Sequence, residues 1–209
     1  MSAVLSAAHS GRIGPNAITR VAEALPTVVG SGATWKLFER AGLVAYLRQP
    51  PQAMVDEREA ARLHAELRAS LGLEQARDVA LAAGRATADY LLANRIPLPV
   101  QRLLRVLPAG IAARVLTRAI ERHAWTFAGS GRFTARVPLP AEAARGTRLV
   151  YEIRGNPLVR GVAAEQPLCG FYEATFEQLL RVLVRRGAAV EETACEACGD
   201  DSCRFELRW

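Results

Sequence analysis

The stretch from Pro167 to Trp209, PLCGFYEATFEQLLRVLVRRGAAVEETACEACGDDSCRFELRW, decides the reading of the chain. Pro167 opens an amphipathic helix running to about Arg186, with Phe171, Phe176, Leu179, Leu180, Leu183 and Val184 as its apolar face. Gly187 is the expected C-cap. A hairpin follows, Ala188 to Ala194 outward and Ser202 to Trp209 back, with CEACGDD as its loop. Cys195, Cys198 and Cys203 fall within nine residues on and just after this loop, and Cys169 lies in the first turn of the helix before it.

Thiolates grouped at a tight turn suit a tetrahedral zinc ion, which takes soft ligands at short spacings. Gly199 and the two aspartates after it tighten the loop. The partial positive charge of a helix N-terminus favours a thiolate at Cys169. All four cysteines could bind, or Glu192 could replace Cys198. Glu192 stands three residues before Cys195, and strand alternation turns Glu191 to the opposite face. Unliganded core thiols, an iron–sulfur cluster and a Cys195–Cys198 redox pair are the competing uses. The spacing fits no ferredoxin run, and the Cys-x-x-Cys does not open a helix after a strand.

Upstream of Pro167 the chain is first helical. Expected segments are Pro15 to Leu25, Thr34 to Leu47, Asp56 to Ser70 and Leu73 to Asn94, then Ile96 to Leu107 and Ala109 to Glu121, split at Pro108. From Trp125 the pattern changes. Trp125, Phe127, Phe133, Ala135 and Val137 alternate around Gly129-Ser130-Gly131, a hairpin or bulged-strand signal, and Leu149 to Arg154 is a further strand. The expectation is one α+β domain over residues 1–209. A helical layer (1–122) packs on a twisted antiparallel sheet, with the helix and metal-clasped hairpin in 123–209.

The 209 residues are half hydrophobic and 23% charged, with a net charge of +6. Lys36 is the one lysine; the other basic residues are arginines spread along the chain, mostly beside Glu or Asp. Nucleic-acid binding would call for clustered basic residues interleaved with aromatics, so none is expected. No apolar run approaches the ~20 residues of a membrane span, and the first residues lack the apolar core of a secretory signal. The expected location is the cytoplasm. Histidines His9 and His64 are given no role.

Cys169-Gly170-Phe171-Tyr172, Glu192-Thr193-Ala194-Cys195, Gly199 and Cys203-Arg204-Phe205 together resemble the 4-vinyl reductase domain family. The whole-chain layout resembles its bacteriochlorophyll-biosynthesis branch. The same domain serves as the sensor module of aromatic-responsive transcription activators. Their Cys-Glu-Cys-Cys zinc ligands correspond here to Cys169, Glu192, Cys195 and Cys203, which leaves Cys198 outside the set. The resemblance further implies helices packed on a twisted antiparallel sheet, an apolar pocket between the layers, and a homodimer. It implies a tetrapyrrole ligand, such as a chlorophyllide, and pathway enzymes such as magnesium chelatase as partners.

The family name implies reduction of a vinyl group, which needs a hydride or electron source. No Gly-x-Gly-x-x-Gly opens a helix after a strand; Gly30-Ser31-Gly32 follows a helix and reads as a turn. A closed Cys₃Glu zinc is redox-inert and keeps no open position. A carrier that hands a tetrapyrrole to an enzyme therefore fits better than a reductase, with a small-molecule sensor as a third reading. The candidate pocket residues are His123, which could ligate a central magnesium, with Trp125, Phe127, Tyr151 and Tyr172.

Overall fold

The computed structural model describes residues 11–209; His9 and the first residues, on which the leader reading rests, lie outside them. The chain runs α1 (Asn16–Val29), α2 (Ser31–Arg40), α3 (Ala45–Arg48), α4 (Glu57–Asn94), α5 (Leu98–Val106), α6 (Ala109–Arg122), α7 (Trp125–Ala128), α8 (Pro140–Ala144) and α9 (Gly170–Leu183). Two short strands, β1 (Arg12–Ile13) and β2 (Val55–Asp56), pair antiparallel just before α1 and α4. The main sheet holds β3 (Arg132–Arg136), β4 (Leu149–Arg154), β5 (Ala189–Ala194) and β6 (Cys203–Arg208). It is antiparallel throughout, in the order β3-β4-β6-β5.

Period-2 alternation divides this sheet into two chemically distinct faces. Tyr151, Ile153, Phe205, Leu207 and Val190 lie on the inner face and are buried. The opposite face carries an ion-pair ladder: Arg136 and Arg204 both bond Glu152, and Arg208 bridges Glu191 and Glu206. Glu191 and Glu206 are register partners, so Arg208 offsets the repulsion of like charges placed opposite each other.

Helix α9 supplies the inner layer, with Phe171, Tyr172, Phe176, Leu179, Leu180 and Leu183 buried. Helix α4 crosses it at Gly84. A Cβ there would stand 2.3 Å from the Phe171 carbonyl oxygen and 2.9 Å from the Ala174 Cβ, so only glycine permits this approach. Thr175 Oγ donates across the crossing to the Gly84 carbonyl at 3.1 Å. Glu57, at the start of α4, accepts from Ser130 N and Oγ, both at 2.6 Å, and from Arg160 at 2.8 Å. The helical layer is thereby latched to the loop entering β3.

Several expected boundaries move. Pro26 does not end the first helix, because α1 continues to Val29 and Gly30 N still donates to the Pro26 carbonyl. A proline removes one amide donor, which a last turn tolerates. The expected segment from Thr34 to Leu47 is two helices, parted at Gly42 with φ +71°. The expected break between Ser70 and Leu73 is present as Gly72, φ +76°, inside α4. Helix α9 starts at Gly170 and not at Pro167, which leaves Cys169 at its N-cap and not in its first turn, and it ends at Leu183, before the cap expected at Gly187.

The largest correction concerns Trp125 to Ala128. These residues form a helical turn, not a strand: Ala128 N donates to the Ala124 carbonyl, and Gly129, φ +60°, stops the turn. Alternation over Trp125 and Phe127 spans too few residues to distinguish period 2 from a single helical turn.

Candidate metal centre

Three elements bring the cluster together. Cys169 is the N-cap residue of α9, Glu192 faces inward from β5, and Cys195 and Cys203 flank the hairpin loop. All four are buried, and their ligand atoms lie within 4.8 Å of one another. The Cys169–Cys203, Cys169–Cys195 and Cys195–Cys203 sulfur separations are 3.3, 3.8 and 3.9 Å. Tetrahedral bonds of ~2.3 Å to zinc would set sulfurs about 3.8 Å apart, so the spacing fits a single ion.

Glu192 provides the second test of fit. Its Oε2 accepts the Cys169 N–H at 2.7 Å, while Oε1 is buried with no hydrogen-bond partner among the described residues. A buried carboxylate oxygen left unpaired is costly, and a cation would satisfy it. Burial pushes the Glu192 carboxyl up to about 9 and raises the Cys169 thiol well above its ordinary value. Cys195 is held low by hydrogen bonds from the Cys169 and Cys203 thiols. Protons thus stand in for the charge that a divalent cation would neutralise.

The loop geometry follows from its residues. Glu196–Cys198 make a 3₁₀ turn closed by Gly199 at φ +91°. Asp200 Oδ2 accepts the Cys195 N–H at 2.9 Å. A β-bulge between Glu192 and Ala194 adjusts β5 just before the loop. Glu191 turns outward and Glu192 inward, as alternation requires. Cys198 is exposed and does not join the four.

Two contributors carried no sequence signal. Asn156 Nδ2 lies 3.2 Å from Cys169 Sγ and 3.4 Å from Cys203 Sγ, donating to both. Its own backbone is fixed by Glu196, which accepts from Gly155 N and Asn156 N. Arg68, on α4, donates to the Leu158 carbonyl and interacts electrostatically with Cys169 and Cys195. Neither has a diagnostic spacing from the cysteines. His64 is also buried, one turn before Arg68, with Nε2 3.1 Å from the Ala17 carbonyl oxygen.

The predicted pocket residues divide. Phe127, Tyr151 and Tyr172 join Phe133, Phe176 and Phe205 in a packed ring cluster, with Phe127–Phe133 centroids at 5.3 Å and Tyr151–Phe176 at 5.1 Å. Tyr172 donates to the Phe127 carbonyl, and the Tyr151 hydroxyl pairs with Thr117. His123 and Trp125 stand outside this cluster. His123 is exposed with Nδ1 2.8 Å from the Ala119 carbonyl oxygen, and Trp125 is 60% exposed. An open depression of about 500 Å³ lies elsewhere, beside β1 and β2, with Tyr46, Met54 and Glu59 in its wall.

Residues 149–209, which hold the whole four-residue cluster, match the V4R domain family. Over 94% of its length the chain is 44% identical to the bacteriochlorophyll synthase 23 kDa chain of Cereibacter sphaeroides, of which it covers 90%. It is 38% identical to the protein of that name from Rhodobacter capsulatus, again over 94% of its own length and 86% of the relative. A solved structure described as "Modulating Heme Redox Potential Through Protein-Induced Porphyrin Distortion" matches 94% of this chain and 95% of its own, with a TM-score of 0.51. At 11% identity that likeness concerns the fold alone. Likeness along nearly the full length, with the cluster inside the matched segment, means that the chain belongs to the V4R-domain family of bacteriochlorophyll synthase 23 kDa chains.

Proposed function

We propose that this protein is an accessory of bacteriochlorophyll biosynthesis that binds a tetrapyrrole intermediate and passes it to a pathway enzyme. Its place in that pathway rests on relatives named as bacteriochlorophyll synthase chains, similar over nearly the whole length. The carrier role rests on one observation, the closed donor set of Cys169, Glu192, Cys195 and Cys203.

In this reading the four residues hold zinc. Four protein donors fill a tetrahedral ion and leave no position for water or substrate, which is the pattern of a structural site. The ion would clasp the start of α9 to the β5–β6 hairpin. The aromatic cluster between α9 and the sheet would be the ligand-facing core, opening on the side of α7, where Phe127 packs against Phe133 and Trp125 is exposed. A macrocycle entering there would displace Phe127 from Phe133 and could offer its metal to His123. Magnesium chelatase, which makes magnesium porphyrins, is an enzyme class that such a carrier would serve.

Titration of the purified protein with a magnesium porphyrin, read by fluorescence quenching, tests the reading. Tight saturable binding without turnover is expected. Conversion of a divinyl to a monovinyl substrate by pure protein with NADPH would make it a vinyl reductase and end the carrier reading. Metal analysis should return one zinc per chain; iron with an absorption band near 400 nm would replace the structural ion with an electron carrier.

A further inference from the structure

Helices α5 and α6 turn an apolar surface away from the protein. In α5 the buried residues are Gln101 and Leu104, and in α6 they are Ala112, Ala113, Leu116 and Thr117. At 3.6 residues per turn, the opposite side of α5 carries Leu103 and Val106, which are 56% and 79% exposed. The opposite side of α6 carries Ile111 and Val115, also exposed, in register with Arg118 and Arg122. Aliphatic side chains concentrated on the solvent side of two adjacent helices mark an interaction surface.

The charge on this surface is one-sided. From Arg95 to Trp125 there are six arginines and a single acidic residue, Glu121. Ten arginines elsewhere form ion pairs, yet none of these six does so among the described residues. Arg102, Arg114, Arg118 and Arg122 make no side-chain hydrogen bond to a described residue either.

We infer that the outer face of α5 and α6 seats this protein on an anionic lipid bilayer, with Leu103, Val106, Ile111 and Val115 in the headgroup–acyl boundary and Arg114, Arg118 and Arg122 on lipid phosphates. Interfacial helices combine these two features: aliphatic residues for insertion and arginines for anionic headgroups. A second copy of the chain fits less well. A two-fold contact would set these arginines against themselves with no carboxylates to balance them. The inference is independent of the tetrapyrrole and zinc readings.

Flotation of the full-length protein on density gradients tests it. The protein should rise with phosphatidylglycerol-rich vesicles and stay down with phosphatidylcholine alone. Raising the salt should weaken binding about tenfold. The doubles Leu103→Ser with Val106→Ser, and Arg114→Glu with Arg118→Glu, change exposed side chains, so folding should persist by circular dichroism; each should abolish flotation. Arg185→Glu with Arg186→Glu makes the same charge change on another exposed site and should leave flotation largely intact. Failure to float on anionic vesicles would overturn the inference, and so would equal losses from both charge-reversal pairs. A concentration-dependent dimer, abolished by the Leu103 and Val106 changes and seen without flotation, would assign the face to a second copy and overturn it too.

Discussion

Glu192 accepts the backbone N–H of Cys169 through one carboxylate oxygen at 2.7 Å and leaves its other oxygen buried beside the three thiols with no hydrogen-bond partner among the described residues. One side chain therefore ties β5 to the N-cap of α9 and also offers a vacant anionic donor. Substituting Glu192 separates the two roles. Glu192→Gln keeps an oxygen for the Cys169 N–H but removes the charge. The folded protein should survive with its metal held at least tenfold more weakly, measured by competition with a chromogenic chelator.

Cys203→Ser should act more severely. It removes a ligand in the centre of the proposed clasp and leaves the other donors crowded without their counter-ion. Thermal unfolding should shift by the equivalent of roughly 3 kcal/mol or more, because metal binding energy enters folding energy directly. A variant that stays fully folded and fully zinc-loaded would sink the clasp. Cys198→Ser is the matched control: that thiol is exposed, and the change should stay within about 0.5 kcal/mol with zinc stoichiometry unaltered.

Asn156→Ala tests the surrounding shell. The amide donates to two of the sulfurs, and such outer contacts typically account for about 10–100-fold in metal affinity. Zinc should bind more weakly by that factor while the four ligands remain in place. Unchanged affinity would reduce Asn156 to a loop anchor through its bond to the Leu158 N–H.

Gly84 should tolerate almost nothing. Even Ala would press its methyl against the Phe171 carbonyl and push α4 from α9. Overpacking of this kind costs about 1–3 kcal/mol, and Gly84→Val should exceed it. Denaturant midpoints for the two variants, compared with Gly110→Ala, where no described residue stands within 4 Å, give the ordering.

His64 predicts an acid sensitivity. Burial, helped by the nearby Arg68 charge, lowers its pKa to about 3, against ~6.5 in the unfolded chain. The unfolded state therefore binds the proton more readily, and its advantage grows as the pH drops. The stability due to neutral His64 is complete above pH 6.5 and falls toward pH 3, by up to about 1.4 kcal/mol per pH unit. Urea midpoints measured across this window should decline for the native protein and decline less steeply for His64→Gln, whose remaining slope comes from ion-paired carboxylates such as Glu142.

What the sequence determined by itself was local. The helix expected after Pro167, the strand Leu149–Arg154, the β5–β6 hairpin and the inward side of Glu192 all follow from hydrophobic period and turn chemistry, which act over a few residues. The likeness of the cysteine spacing to a known family could be read there too. Only the tertiary structure decided which groups share a space. It brought Cys169 to Cys203 and set Asn156 over both sulfurs. It buried His64, exposed Trp125 and His123, and closed Phe127, Tyr151 and Tyr172 into one packed cluster. It also decided that Leu103, Val106, Ile111 and Val115 face outward. A pattern defines an apolar stripe, but which side of a helix meets the core depends on partners distant in the chain.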